Sequence, residues 1–270
     1  MIRERRSKEK LEQYYEKYIH EGVLDPNVHP WVAESWQKSR AQKVSPDSMP
    51  TLTKLSREEL HRRQEAHKLV LEYLDGFYDD TREHFNVYNL SLLLLDPECY
   101  VMKNYALPFF QRTQGEIEGA RLAEQDIGTS SISIAYERKV PFLLFGPEMW
   151  IRECQNGDAC TVPIMVDGQL RYLVTIVSVE QEALPYSSVV ALLMGIKYSL
   201  EQHLSMMEQL KARHAILDAV PFAVYHIVPG GDVVYSNKLG QSRLAVIDAM
   251  AKSGLPNLND VVLNYRHTPL

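Results

Sequence analysis

A chain of 270 residues, 45% hydrophobic and 24% charged, has enough material for one large domain or two ordinary ones around a sizeable core. Its formal net charge of −6 argues against duplex nucleic acid as the partner of this piece, because such binding rests on Lys and Arg neutralising phosphates. Three cysteines, an odd number, suggest no disulfide framework. No apolar run approaches the ~20 residues a membrane span needs, and no signal peptide is apparent, so a cytoplasmic location without a membrane partner is expected.

Residues 7–21 read as a helix, with Leu11, Tyr14, Tyr15, Tyr18 and Ile19 on one side and Gly22 as its stop. Pro30 is placed to begin a second helix carrying Trp31, Val32, Ser35 and Trp36. There Trp36 reads as an apolar anchor to a neighbouring element. Ser56 and Glu59 form a capping box for a third helix. Its stripe of Leu60, His67, Val70, Leu71, Leu74, Phe77 and Tyr78 runs on toward Phe85. His61 and His67 point to different faces of that helix and do not form a metal pair.

Residues 89–95 read as a strand that Asp96-Pro97-Glu98 turns into a second, residues 100–104. The stretch 119–150 organises the middle of the chain. Ile127, Ser131, Ile134 and Ala135 fall on one helical face, and the apolar run 140–145 is too short for a buried helix. The expected order is loop, short helix, turn, buried strand and loop, with the helix lying across a sheet and roofing a cavity. Residues 159–165 and 170–179 read as strands joined through Asp167-Gly168, a two-residue hairpin signal.

From residue 187 a long helix runs toward Ala219. Its Val189, Leu193, Ile196, Leu200, His203, Met207, Leu210, His214 and Leu217 alternate spacings of four and three, a heptad seam. His203 and His214 are placed at the rim of that seam. Pro221 stops the helix, and residues 222–228, the Gly230-Gly231-Asp232 turn and residues 233–237 read as a hairpin.

No Gly-x-x-x-x-Gly-Lys-Ser/Thr loop, His-Glu-x-x-His, Gly-x-Ser-x-Gly or Cys-x-x-Cys is present, so no catalytic residue, metal or cofactor is assigned and the chain is read as a non-enzyme. Cys154 and Cys160 lack zinc-ligand spacing. They leave a redox alternative, in which a flexible loop brings one thiol to the other. The reading adopted is a buried Cys160 on a strand and an idle Cys154 in a loop.

Gly119, Glu124, Gly128-Thr129, Val140-Pro141, Phe145-Gly146 and Glu148 resemble the signature of the N-terminal GAF domain of bacterial activators of sigma-54-dependent transcription, especially the acetoin and glycerol regulator type. In that family the stretch commonly reads Gly-x-x-Trp-Ser-Glu, Gly-Thr-Asn and Gly-x-Glu-His. Here Leu122 and Ala123 replace Trp-Ser, Ser130 replaces Asn and Met149 replaces His. Glu34-Ser35-Trp36-Gln37-Lys38-Ser39-Arg40 with Val44-Ser45-Pro46 is similar to a segment that precedes the GAF domain in the same regulators. Pro163-Ile164 also matches the family, Cys160 sits one residue from a usual cysteine, and Cys99 stands where the family's hairpin has glycine. The run ILDAVPFAVYHIVPGGDVVYSN resembles the opening of a PAS domain, expected here to be truncated.

The resemblance implies an α+β fold, a GAF-like antiparallel sheet flanked by helices. An N-terminal helical segment spans 1–55, the sensor domain 56–186, a connecting and dimerisation helix 187–219 and a partial PAS-like hairpin 220–270. It implies a small-molecule effector held between sheet and roof helix by Tyr105, Phe109, Ser130, Ser131, Ile134, Trp150, Cys160, Val162 and Ile164, with Phe110 and Met149 nearby. Aromatic walls with a few hydroxyls suit a small, weakly polar or aromatic ligand, although core packing explains each residue alone equally well. A homodimer through Leu193, Ile196, Leu200, Met207 and Leu210 would pass the signal to the ATPase domain of the full-length regulator, which acts on sigma-54 RNA polymerase and DNA. The alternatives are a cysteine-based redox sensor or methionine-sulfoxide-reductase-like GAF enzyme, and a GAF domain that docks a partner protein.

Overall fold

The computed structural model describes residues 7–105, 117–178, 186–228 and 233–251, which divide into a unit ending at His203 and a second beginning at Leu204. Helix α1 (Lys8–Glu21) ends at Gly22, whose φ of 72° lets its N–H close back on Tyr18 O. Helix α2 (Pro30–Ala41) starts on proline, and the His29 side chain accepts from Trp31 N. The single third helix expected from the stripe is instead two, α3 (Arg57–Ala66) and α4 (Lys68–Val87), broken at His67. Half of the expected capping box forms. Ser56 accepts from Glu59 N, but the Glu59 carboxylate turns to Arg62 and Arg63.

Strands β1 (Leu90–Leu95) and β2 (Val101–Tyr105) come next. In the turn between them Cys99 has a φ of 65°, the left-handed backbone that glycine favours. After α5 (Glu124–Ile127), helix α6 (Ser131–Arg138) leads to the short strand β3 (Phe142–Leu144). Strands β4 (Asp158–Val166) and β5 (Gln169–Ser178) form the expected hairpin. Its Asp167 and Gly168 both have positive φ, 50° and 74°, the pattern of a tight turn matched to strand twist.

The five strands make one antiparallel sheet in the order β2-β1-β5-β4-β3. Alternation sorts its side chains into two faces. Leu93, Leu95, Val101, Phe142, Leu144, Ala159 and Leu173 join one core cluster with Tyr15 and Tyr18 of α1, Trp36 of α2 and Ile134 of α6. Leu92, Leu94, Cys160, Val162, Ile164 and Val174 are buried on the other side. There Tyr172 OH meets His67 Nδ1 at 2.6 Å and Tyr105 OH donates to Asp75 of α4 at 2.7 Å.

Helix α7 (Tyr186–Ala219) is continuous over 34 residues, and Val189, Leu193, Ile196 and Leu200 are its buried positions. The second unit takes the rest of α7, the two-stranded sheet of β6 (Tyr225–Ile227) and β7 (Val233–Ser236), and helix α8 (Lys238–Ala251). No described helix is long and apolar enough to cross a membrane. The architecture is α+β, an antiparallel sheet flanked by helices.

Candidate functional site

Helix α6 crosses the sheet over β3, β4 and β5. Its start is fixed by serines: Ser130 Oγ accepts from Ser133 N at 3.1 Å, and Ser133 Oγ accepts from Ser130 N at 2.9 Å. Such a reciprocal box satisfies two otherwise orphan donors. The next residue, Ser131, lies 2.8 Å from Thr161 Oγ1 on β4, and Thr161 lies 2.9 Å from Thr175 Oγ1 on β5. A buried hydroxyl row thus runs from roof helix to sheet.

That row extends toward β1 and β2. Thr175 pairs with Leu93, which pairs with Asn104, while Ser91 lies two residues back on the same face. Ser91 Oγ and Asn104 Oδ1 are buried and have no hydrogen-bond partner among the described residues. Buried polar atoms without partners are rare in folded proteins, and these two make the β1–β2 end of the α6 face the candidate site.

The β3 end of that face is filled. Trp150 is 2% exposed. Its Nε1 donates to Val44 O at 2.9 Å, its N–H to Thr129 O at 3.0 Å, and its carbonyl accepts from Tyr15 OH at 2.5 Å. Trp36 Nε1 donates to Glu148 O at 2.8 Å, and the Tyr15 and Trp36 rings meet edge-on at 5.5 Å. Gly128 has a φ of 69°, and a Cβ there would stand 2.5 Å from the Trp150 ring. Ser39 Oγ lies 3.0 Å from Thr129 Oγ1, and Ser35 donates to Glu124, whose carboxyl burial pushes above the usual range.

The nine residues expected to hold an effector therefore do not line one cavity. Ser130, Ser131, Ile134 and Trp150 belong to the α6 face. Cys160, Val162 and Ile164 alternate with Thr161, whose hydroxyl meets Ser131, so they point to the opposite face. Tyr105 is there too, tilted against Tyr78 of α4 at 5.0 Å. Phe109 lies outside the described residues, as do Phe110 and the Gly230-Gly231-Asp232 turn. Met149 is buried in the α6-face cluster. Thr161, Thr175, Ser91 and Asn104 went unread in the sequence. Their one signal is a hydroxyl or amide at alternate positions of otherwise apolar strands.

The dimer seam needs the same correction. Leu193, Ile196 and Leu200 are 0%, 2% and 0% exposed within this single chain, leaving nothing for a second copy to cover. The spacing of four and three describes any helix with one apolar stripe, including one lying on its own sheet. Of the other two, Met207 is half-buried and Leu210 is 39% exposed. Nor do the histidines sit on a rim: His203 stacks on Tyr73 and His214 on Tyr235.

The thiols are free. Burial pushes Cys160 up to about 12 and Cys154 up to about 11, away from the thiolate that redox chemistry requires. Among the described residues no three His, Cys, Asp or Glu side chains are grouped to hold a metal ion.

No family model matches the sequence, and no curated protein matches it. Among solved structures, the chain is similar to one from the crystal structure of the E. coli DhaR(N)–DhaL complex, with a TM-score of 0.61 and 18% identity over 83% of this chain and 78% of that one. At that identity the likeness is one of fold alone.

Proposed function

We propose that this chain is the sensory region of a sigma-54-dependent transcriptional activator. In this reading the sheet unit, built around a GAF domain over 56–186, receives an input. Helix α7 passes it through a PAS-like second unit toward the ATPase and DNA-binding parts of the full-length regulator. The observation that carries the reading is α7 itself: one unbroken helix buries its first half in the sheet unit and ends in the second unit. A perturbation of the sheet then has a rigid element on which to act.

The input we propose is a small polar effector on the α6 face, beside Thr175, Ser91 and Asn104. Donors and acceptors otherwise lacking partners there would gain them on binding. Exposed Met206, Leu210 and Ile216 are the apolar positions on α7 through which two copies would pair. A second reading, docking of a partner protein, is favoured by the solved neighbour being part of a two-protein complex.

Native mass spectrometry of protein purified from its own host tests the choice. A small-molecule adduct on the wild type that Thr175→Leu loses supports the effector reading. A bare wild type that co-purifies with a second protein supports docking. A bare chain with no partner counts against both inputs.

A further inference from the structure

Strand β3 pairs with β4 only at Ala159, Cys160 and Thr161. Beyond Thr161 that side of β4 has no strand partner among the described residues. Pro163 sits on this open stretch, where its missing N–H leaves no donor unpaired. Two backbone groups that remain are met by α7. Lys197 Nζ donates to Pro163 O at 2.9 Å, and Met165 N donates to Glu201 Oε1 at 2.7 Å. One turn apart, the two side chains also pair with each other, and both are largely buried, 14% and 18% exposed. The register shift of β4, between Ile164 and Met165, falls between the two bonds.

The order of the charges carries information. Along β4 the open edge offers an acceptor and then a donor, and α7 answers with a donor and then an acceptor. A slide of one turn, about 5.4 Å, breaks that match in either direction. One slide sets the Glu201 carboxylate against Pro163 O, two acceptors. The other sets Lys197 against Met165 N, two donors, and leaves Leu193 at Pro163 O. The apolar contacts of Leu193, Ile196 and Leu200 do not discriminate in this way, since one aliphatic side chain substitutes for another along the groove.

We propose that Lys197 and Glu201 form a latch that fixes the axial register of α7 on the sheet. A change at the sheet then reaches residues 204–219 by loosening or shifting this latch. The proposal rests on the sensory reading, to which it adds the point of coupling. Neither residue touches the candidate effector site on the opposite face.

Hydrogen–deuterium exchange on the whole chain, with no effector added, is the test. The double exchange Lys197→Glu with Glu201→Lys keeps the net charge and the ion pair within the helix but reverses the order facing β4. Losing one such bond is expected to speed exchange of the Met165 amide about tenfold, with a parallel change across 204–217. Glu201→Gln, which keeps an acceptor, is expected to stay within about twofold of wild type. Should the double variant lose its near-UV circular dichroism, Glu201→Met, which removes the acceptor of the Met165 amide, is read in its place against the same outcomes. Wild-type exchange at both places overturns the latch, and so does a change confined to Met165, which leaves only a local edge cap. Either failure leaves the effector and docking tests standing, because neither of them reads the register of α7.

Discussion

Replacing Trp150 with phenylalanine removes one N–H and part of one ring from a buried aromatic cluster. Losing the bond to Val44 O leaves a buried carbonyl unpaired, a cost of about 1–3 kcal/mol. The smaller ring gives up roughly 50 Å² of buried apolar surface, or about 1.3 kcal/mol at ~25 cal/mol per Å². Together these put Trp150→Phe about 2–4 kcal/mol below wild type. Trp150→Ala leaves a larger cavity between Gly128 and the α1 and α2 aromatics, and about 5 kcal/mol is expected. Against a typical stability of about 5–15 kcal/mol, the phenylalanine variant folds and the alanine variant is marginal. Urea unfolding followed by far-UV circular dichroism should rank the midpoints wild type, Phe, Ala. A phenylalanine midpoint equal to wild type refutes the Val44 bond. An alanine variant as stable as wild type refutes the view of Trp150 as a structural strut and returns it to the ligand-binding set.

The pKa of His67 is lowered, first by burial against Tyr172 and α4, with Asp96 opposing and Arg63 adding to the effect. The unfolded chain therefore binds that proton more readily, and stability falls as pH drops below the ordinary histidine value of about 6.5. His67→Gln should flatten that part of the pH–stability curve, measured by thermal melts between about pH 5 and about pH 7; an unchanged slope rejects the assignment. Cys160, buried with its thiol pushed up to about 12, should react with a maleimide at neutral pH only as fast as the unit unfolds, and prompt labelling of the native protein would revive the redox alternative. Asn237 is 0% exposed; its amide donates to Leu217 O and Phe222 O and accepts from Val224 N and Gly240 N. Asn237→Ala strands four backbone groups at about 1–3 kcal/mol for each buried one. Exchange at Val224 should rise sharply while the first unit melts as before, and an unchanged Val224 amide counts against this hub.

Much of the fold is written in short-range signals. Pro30, Gly22, Ser56 and Asp167-Gly168 each mark a boundary by local backbone chemistry, and each stands where that chemistry puts it. The break at His67 was not legible, because an apolar stripe continues in phase across it, and the contact His67 makes there is with Tyr172, 105 positions away. The faces of the sheet were harder still. Strand β4 is buried along nearly its whole length, so no polar alternation tells which parity faces α6. Only the bond from Thr161 to Ser131 decides it, and a bond between residues 30 positions apart has no local signature. The same holds for α7, where burial by the chain's own sheet and burial by a second copy ask for the same spacing of leucines.

The closure of α1 and α2 over the sheet also bears on how this protein is made. Tyr15 and Trp150 bond across 135 positions, and Ser39 and Thr129 across 90. A ribosome releases the first two helices long before their partners exist. Contacts of such separation slow folding, because chain entropy is lost before any contact is gained. During synthesis the rings of Tyr15, Tyr18 and Trp36 have no sheet to cover them. Nascent chains stalled before residue 150 are thus the species in which aggregation, or capture by a chaperone, should be greatest. Moving residues 7–48 to the C-terminal end by circular permutation would let them arrive last, onto a sheet already formed.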